Sequence, residues 1–183
     1  MYEIIAQGIG IVAAGLLIMS YQQKDQKKVI VWQMMGQLLF SVNYLMLGLT
    51  LGACLNTLGF IRGIVYSNRE KFRADKLIWV FVFSFAFLAV YAAGFIWFGK
   101  EPSARNFIIE LMPAAALIAS TISFRAASAK AVRLWGFVSS PLWLTYNIIN
   151  FALGGIICEV FNLISIIVGI IRLDIKRSKK NEL

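Results

Sequence analysis

The residues whose types and spacing offer binding chemistry in this chain are two primary amides at matched places in two apolar stretches. Residues 48–63 read GLTLGACLNTLGFIRG and residues 154–169 read GGIICEVFNLISIIVG, so Asn56 and Asn162 each follow an opening glycine by eight positions, at a constant offset of 106. A primary amide in hydrocarbon costs free energy unless it meets a partner or a wet cavity. Two of them at matched depth point to two walls of one polar pocket, with donors and acceptors suited to hydroxyl- or amide-bearing solutes. The plainer reading is interhelical glue, worth roughly 0.6–2 kcal/mol per amide.

Other side chains extend the candidate set. Glu159 stands one helical turn before Asn162 on a similar face, and its counterpart at the same offset is Ala53. A carboxylate inside a span is a functional candidate by default, and a charge near an outer hairpin reached by water is the competing reading. Asn43 and Asn147 repeat at an offset of 104. They line the same cavity or clasp neighbouring helices. Trp143 offers a face for stacking on a ring-shaped or planar solute, and Gln33 and Gln37 share one side of a helix. Gln7 adds a further polar position.

Catalytic chemistry has little to work with. The chain has no histidine, which removes the commonest general base and the commonest metal ligand. Cys54 and Cys158 lie in apolar runs without C-x-x-C spacing and read as small packing residues rather than a disulfide or zinc site. With no Ser/His/Asp set and no cofactor loop, the expectation is a non-enzyme with no catalytic residue, metal or cofactor.

Those side chains must be positioned by membrane-spanning helices. The apolar share is 60% and the mean hydropathy +0.75, against about 45–50% apolar usage in soluble domains. Seven runs, 2–22, 29–49, 51–67, 77–98, 107–124, 134–152 and 155–173, reach the length needed to span. They are too long and uniformly apolar for barrel strands. The expectation is an all-α membrane protein forming a single membrane domain over 1–183, its first run retained as a span because Met1-Tyr2-Glu3 lacks a basic leader region.

The net charge of +9 sits in short loops between spans, where basic residues fix orientation rather than form a nucleic-acid patch. With the N-terminus outside, the inner side holds fifteen Lys and Arg residues, those of loops 24–28, 69–76 and 125–133 together with Arg172, Lys176, Arg177, Lys179 and Lys180, and the outer side holds Lys100 and Arg105. This bias predicts N-out, C-in. Arg62, inside the third run, is expected to snorkel to the inner surface. Glu110 is read as opening the fifth span, where a helix N-terminus favours an acid.

The duplication extends beyond the amides. At an offset of 103, Ser20, Lys27 and Trp32 match Ser123, Lys130 and Trp135. Repeat one covers 2–67 and repeat two 107–173, and the unmatched fourth span, 77–98, is a linker helix that restores orientation so that the repeats run parallel, a 3-1-3 layout. A basic cytoplasmic tail, 174–183, follows. Tight outer hairpins are expected around 48–50 and 153–155.

These features resemble the seven-span SWEET and PQ-loop superfamily, which includes the PnuC-type vitamin transporters and uses parallel repeats. Within it the chain is most similar to the bacterial inner-membrane YgjV family, through its length, the glycine pair Gly8-Ile9-Gly10 in the first span and the basic first inner loop, residues 22–28. In sugar-transporting members an asparagine on each of the third and seventh helices and an aromatic on the sixth line the pocket, which the resemblance places at Asn56, Asn162 and Trp143. It also implies hinges at Pro113 and Pro141. At the matching positions of repeat one stand Gly10 and Leu38, so Gly10 alone shares a capacity to weaken a helix. No Pro-Gln motif occurs.

The expected function is a facilitator for a small neutral polar solute, a sugar or a nucleoside-like vitamin, working by alternating access between two three-helix bundles in the bacterial inner membrane. Its partners are then the solute and the lipid bilayer, with no nucleic acid. The alternative is a structural or lipid-interacting membrane protein. Glycine pairs Gly8/Gly10 and Gly59/Gly63 suit packing within a chain or between chains, leaving a homo-oligomer open. The charge bias has a direct test: single cysteines within 100–106 will label from outside the cell and those within 69–76 from the cytoplasm, and labelling of both from one side would contradict the orientation.

Overall fold

Short polar residues decide where several helices begin. Asp25 accepts hydrogen bonds from the backbone of Lys27 (2.6 Å) and Lys28 (3.3 Å), Ser103 from Asn106, and Ser128 from Ala131, each satisfying donors that the first turn leaves free. In the computed structural model, which describes residues 2–175, the elements are α1 (Tyr2–Tyr21), α2 (Gln26–Met46), α3 (Thr50–Ser67), α4 (Arg69–Phe72), α5 (Ile78–Ile96), α6 (Ala104–Arg125), α7 (Ala129–Ile149) and α8 (Leu153–Gly169), the last continued by a π-helical turn (Ile170–Ile175). The described residues contain no strand. Of the expected basic tail, residues 176–183 lie outside the described residues.

Five helices, α1, α2, α5, α6 and α8 with its extension, are long and apolar enough to cross a membrane. α3 and α7 have 18 and 21 residues, long enough to span, but Asn56 and Arg62 in one and Lys130, Arg133 and Asn147 in the other lower their hydropathy. The caps move three starts upstream of the expected 29, 107 and 134, to Gln26, Ala104 and Ala129. One consequence corrects the reading of Glu110. It is not at a helix opening but in the second turn of α6, only 2% exposed and ion-paired with Lys100.

The expected hairpins are present, one of them displaced. After α2 the chain turns through Gly48 at φ +73°, with Leu49 donating to the Tyr44 carbonyl at 2.8 Å; this left-handed step is what glycine adopts without steric cost. After α7 the equivalent step falls on Phe151 at φ +52°, with Ala152 donating to the Asn147 carbonyl at 3.0 Å. The second turn therefore precedes residues 153–155, which begin α8. α4 is an added turn that the apolar pattern did not reveal.

Packing gives the helices a closed order. α2 lies between α1 and α3, α7 between α6 and α8, and the ring closes through α1 against α8 and α3 against α6. α5 stands outside it, against α3 and α6, burying Phe83, Phe87, Ala93 and Gly94. Large apolar side chains such as Phe81, Phe85, Ile4 and Ile164 face outward, as a bilayer-embedded surface requires.

The seam between α1 and α8 is drawn tight by glycine. A Cβ added to Gly154 would lie 2.9 Å from the Gly10 Cα and 3.0 Å from its carbonyl carbon, so backbone meets backbone as in small-residue helix crossings. Gly59 and Gly63 likewise admit Gln37 and Met34 of α2. These glycines pack within the chain. Gly154→Ala is expected to lower the melting temperature in detergent, reflecting about 1–3 kcal/mol of overpacking, whereas Gly15→Ala, where an added Cβ meets nothing within 4 Å, will leave it unchanged or raise it. Equal effects at both positions in a thermal-melt comparison would refute the close crossing.

Candidate functional site

Inside the ring lies a polar cavity with room for water centres of about 50 Å³, several times the roughly 10–15 Å³ that one water needs on that measure. Its wall is supplied by Leu17 and Tyr21 of α1; Gln33, Gln37, Phe40 and Tyr44 of α2; Asn56 of α3; Leu117 and Ser120 of α6; Ser139, Ser140, Trp143 and Asn147 of α7; and Glu159 and Asn162 of α8. Six helices contribute. Of the proposed substrate residues, Asn56, Asn162, Trp143, Asn147 and Glu159 come together here. Asn43 does not.

The helical spacing explains which groups converge. Asn162 donates from Nδ2 to Glu159 Oε2 (3.2 Å) and Cys158 Sγ (3.3 Å), one turn back on the same helix, while its Oδ1 is buried with no hydrogen-bond partner. Asn56 donates to the Gly52 carbonyl on its own helix at 2.9 Å. Ser140 Oγ is also buried without a partner. Unanswered acceptors and hydroxyls on a cavity wall are the groups that a polar solute or water would satisfy. Glu159 is 7% exposed and has no salt-bridge partner among the described residues, a carboxylate that bonds an amide rather than a cation.

The second amide pair divides between two roles. Asn43 donates to the Ala6 carbonyl at 2.7 Å and so ties α2 to α1. Asn147 accepts from the Tyr44 hydroxyl at 2.6 Å, tying α7 to α2 while keeping a place on the cavity wall. Tyr44 stacks near Trp143 with ring centroids 6.1 Å apart, and Tyr146 meets both edge-on at 6.3 and 5.9 Å. Two of these rings, Tyr44 and Trp143, line the cavity, and Tyr146 packs against both from behind the wall.

Charge ties the helices together near the end of α1. Arg133 forms a forked ion pair with Asp174 on the π-helical turn, Nε to Oδ2 at 2.9 Å and Nη2 to Oδ1 at 2.5 Å. Its Nη1 donates to the carbonyls of Tyr21 and Gln23, binding α7 and α8 to the end of α1. Nearby, Gln22 donates to Ser165, whose hydroxyl donates to the Ile18 carbonyl at 2.9 Å. A two-bond guanidinium–carboxylate pair is among the stronger polar contacts.

The hinge candidates fall elsewhere. Pro113 is buried inside α6 and Pro141 is exposed inside α7, and both helices continue through them; Gly10 is at the contact with Gly154. None of the three lines the cavity.

Sequence reasoning overlooked Tyr44, Tyr146, Tyr21 and the serine pair Ser139-Ser140. A signal existed, since Asn43-Tyr44 and Tyr146-Asn147 place a tyrosine beside each asparagine of the second pair. Arg62 is the larger correction. It does not snorkel but is 0% exposed between α3, α5 and α6. Among the described residues no group of three His, Cys, Asp or Glu side chains is placed to hold a metal ion.

Neither any curated protein nor any solved structure matches the chain in comparison. A family model does, over residues 4–177, and its description is a bacterial inner membrane protein. That match covers nearly the full length and agrees with several membrane-spanning helices: the chain belongs to the Imp-YgjV family and is a multi-pass protein of the bacterial inner membrane.

Proposed function

We propose that this protein is a transporter for a small neutral polar solute, a sugar or nucleoside-like compound, and not an enzyme. The observation that carries the reading is the pairing of Asn56 and Asn162, matched residues of α3 and α8, on the wall of one polar cavity lined by six helices. Tyr44 and Trp143 on the same wall offer aromatic faces beside the amides. At about 50 Å³ the cavity holds a few waters rather than a sugar, so transport requires the halves to part, first at one end and then at the other.

In this reading α3 and α7 also cross the membrane, giving seven spans in a 3-1-3 layout with the N-terminus outside and the basic loops inside. The neighbour order supports it: α1-α2-α3 and α6-α7-α8 repeat the same sequence of contacts, and α5 contributes no cavity residue. The layout is that of the SWEET and PQ-loop superfamily, to which we assign the family on these grounds.

One observation favours the competing reading of polar residues as helix glue: Asn43 is spent on the Ala6 carbonyl, and the Asn56 amide nitrogen is satisfied within its own helix. Alanine substitution separates the two. With a neutral monosaccharide or nucleoside selected by thermal-shift screening, Asn56→Ala and Asn162→Ala are expected to weaken binding roughly three- to a hundredfold, one or two hydrogen bonds of about 0.5–1.5 kcal/mol each, while the melting temperature without ligand barely changes. Calorimetric affinities equal to the unsubstituted protein's, together with a clear loss of stability, would establish glue instead.

A further inference from the structure

Arg62 heads the largest side chains that the fold buries completely. Its guanidinium carbon lies 4.6 Å from the Phe124 ring centroid and 5.7 Å from that of Phe87. Nη1 donates to the Leu117 carbonyl at 2.6 Å and to Thr121 Oγ1 at 3.0 Å. Nε and Nη2 have no hydrogen-bond partner, and no carboxylate pairs with the group among the described residues. One turn along α3, the Tyr66 hydroxyl is also buried and unpartnered, its ring edge-on to the same Phe124 at 5.8 Å.

Tyr66 also borders a cleft of about 320 Å³ at the basic end of the bundle, whose walls carry Lys27, Arg69 and Lys71 with one acid, Glu70. A guanidinium stays protonated even when buried, and an uncompensated charge in an apolar site is strongly unfavourable. Deprotonation is no escape, and the two rings and the Nη1 bonds leave Nε and Nη2 unanswered, a deficit that an anion would meet. Clustered cations at a cleft raise the local anion concentration.

We propose that Arg62 and Tyr66 bind a small inorganic anion that enters through this cleft. Nε and Nη2, the two nitrogens without a partner, lie on one edge of the planar guanidinium and donate side by side, the geometry suited to a halide or one oxyanion edge. The Tyr66 hydroxyl supplies a third donor. The site is separate from the central cavity, whose wall includes neither residue, and it stands whether or not the cavity carries a solute. Bound there, the anion neutralises the α3–α5–α6 seam and holds α5 to the ring.

The test uses the full chain in neutral detergent, comparing potassium chloride and potassium phosphate with potassium gluconate at constant ionic strength. Chloride or phosphate is expected to raise the melting temperature saturably, on the order of 5 °C. Arg62→Gln is expected to abolish that dependence. Tyr66→Phe, which removes only the hydroxyl and leaves the ring packing, is expected to raise the half-saturating anion concentration roughly three- to tenfold, and it decides the matter should Arg62→Gln fail to fold. Identical melting in all three salts, a Tyr66→Phe titration indistinguishable from the unsubstituted protein, or stabilisation by added phosphatidylglycerol alone would each overturn the proposal.

Discussion

The fold rests on one requirement: a polar group carried into an apolar bundle must find a partner away from the lipid, because hydrocarbon offers none. The answers come across the two seams that join α1–α3 to α6–α8. On one seam Gln7 accepts from the Gly154 backbone at the unprotected start of α8, Gln22 reaches Ser165, and Arg133 reaches Tyr21 and Gln23. On the other, Arg62 takes the Leu117 carbonyl, and Gln26 and Arg69 take carbonyls at the end of α6. Each bond contributes little alone, about 0.5–1.5 kcal/mol net, but its loss strands a buried partner at greater cost. The polar residues thus fix which helices may be neighbours, and apolar packing fills the space between.

Much of this was legible in the sequence. Asn56 and Asn162 stood out because an exact offset survives any uncertainty in helix ends, and a wall formed by both follows from placing the same helix twice around one centre. Helix starts were harder, since apolar runs mark what the bilayer covers, whereas Asp25, Ser103 and Ser128 mark where backbone donors are capped. That difference misplaced Glu110. Arg62 was misread for a non-local reason. A basic residue near a span's end ordinarily reaches the interface, but here α6 holds Nη1 through the Leu117 carbonyl and Thr121, and Phe124 of α6 and Phe87 of α5 lie against the guanidinium.

The repeats are alike in order and unlike in chemistry. Asn43 and Asn147 occupy related places, but one clasps α1 and the other clasps Tyr44 at the cavity. Glu159 has only Ala53 as its counterpart.

The seams differ as well, and the difference constrains any motion of the halves. α3 and α6 are spaced by side chains, with α5 bridging them, whereas α1 and α8 touch backbone to backbone at Gly10 and Gly154. A contact between two glycines has no interlocking side chains, so it permits rotation while resisting compression. It falls at the start of α8, far along that helix from Ser165 and the Asp174 turn. Rotation about such a point displaces the distant end most, because the lever is longest there. That end is held by Gln22–Ser165 and by the Arg133–Asp174 fork, polar contacts that exchange for water once separated, unlike a packed apolar interface. The α1–α8 side of the ring therefore combines a close backbone crossing at the start of α8 with water-exchangeable polar contacts at its far end, and a separation of the halves at the basic end would have to break the Gln22–Ser165 and Arg133–Asp174 contacts first.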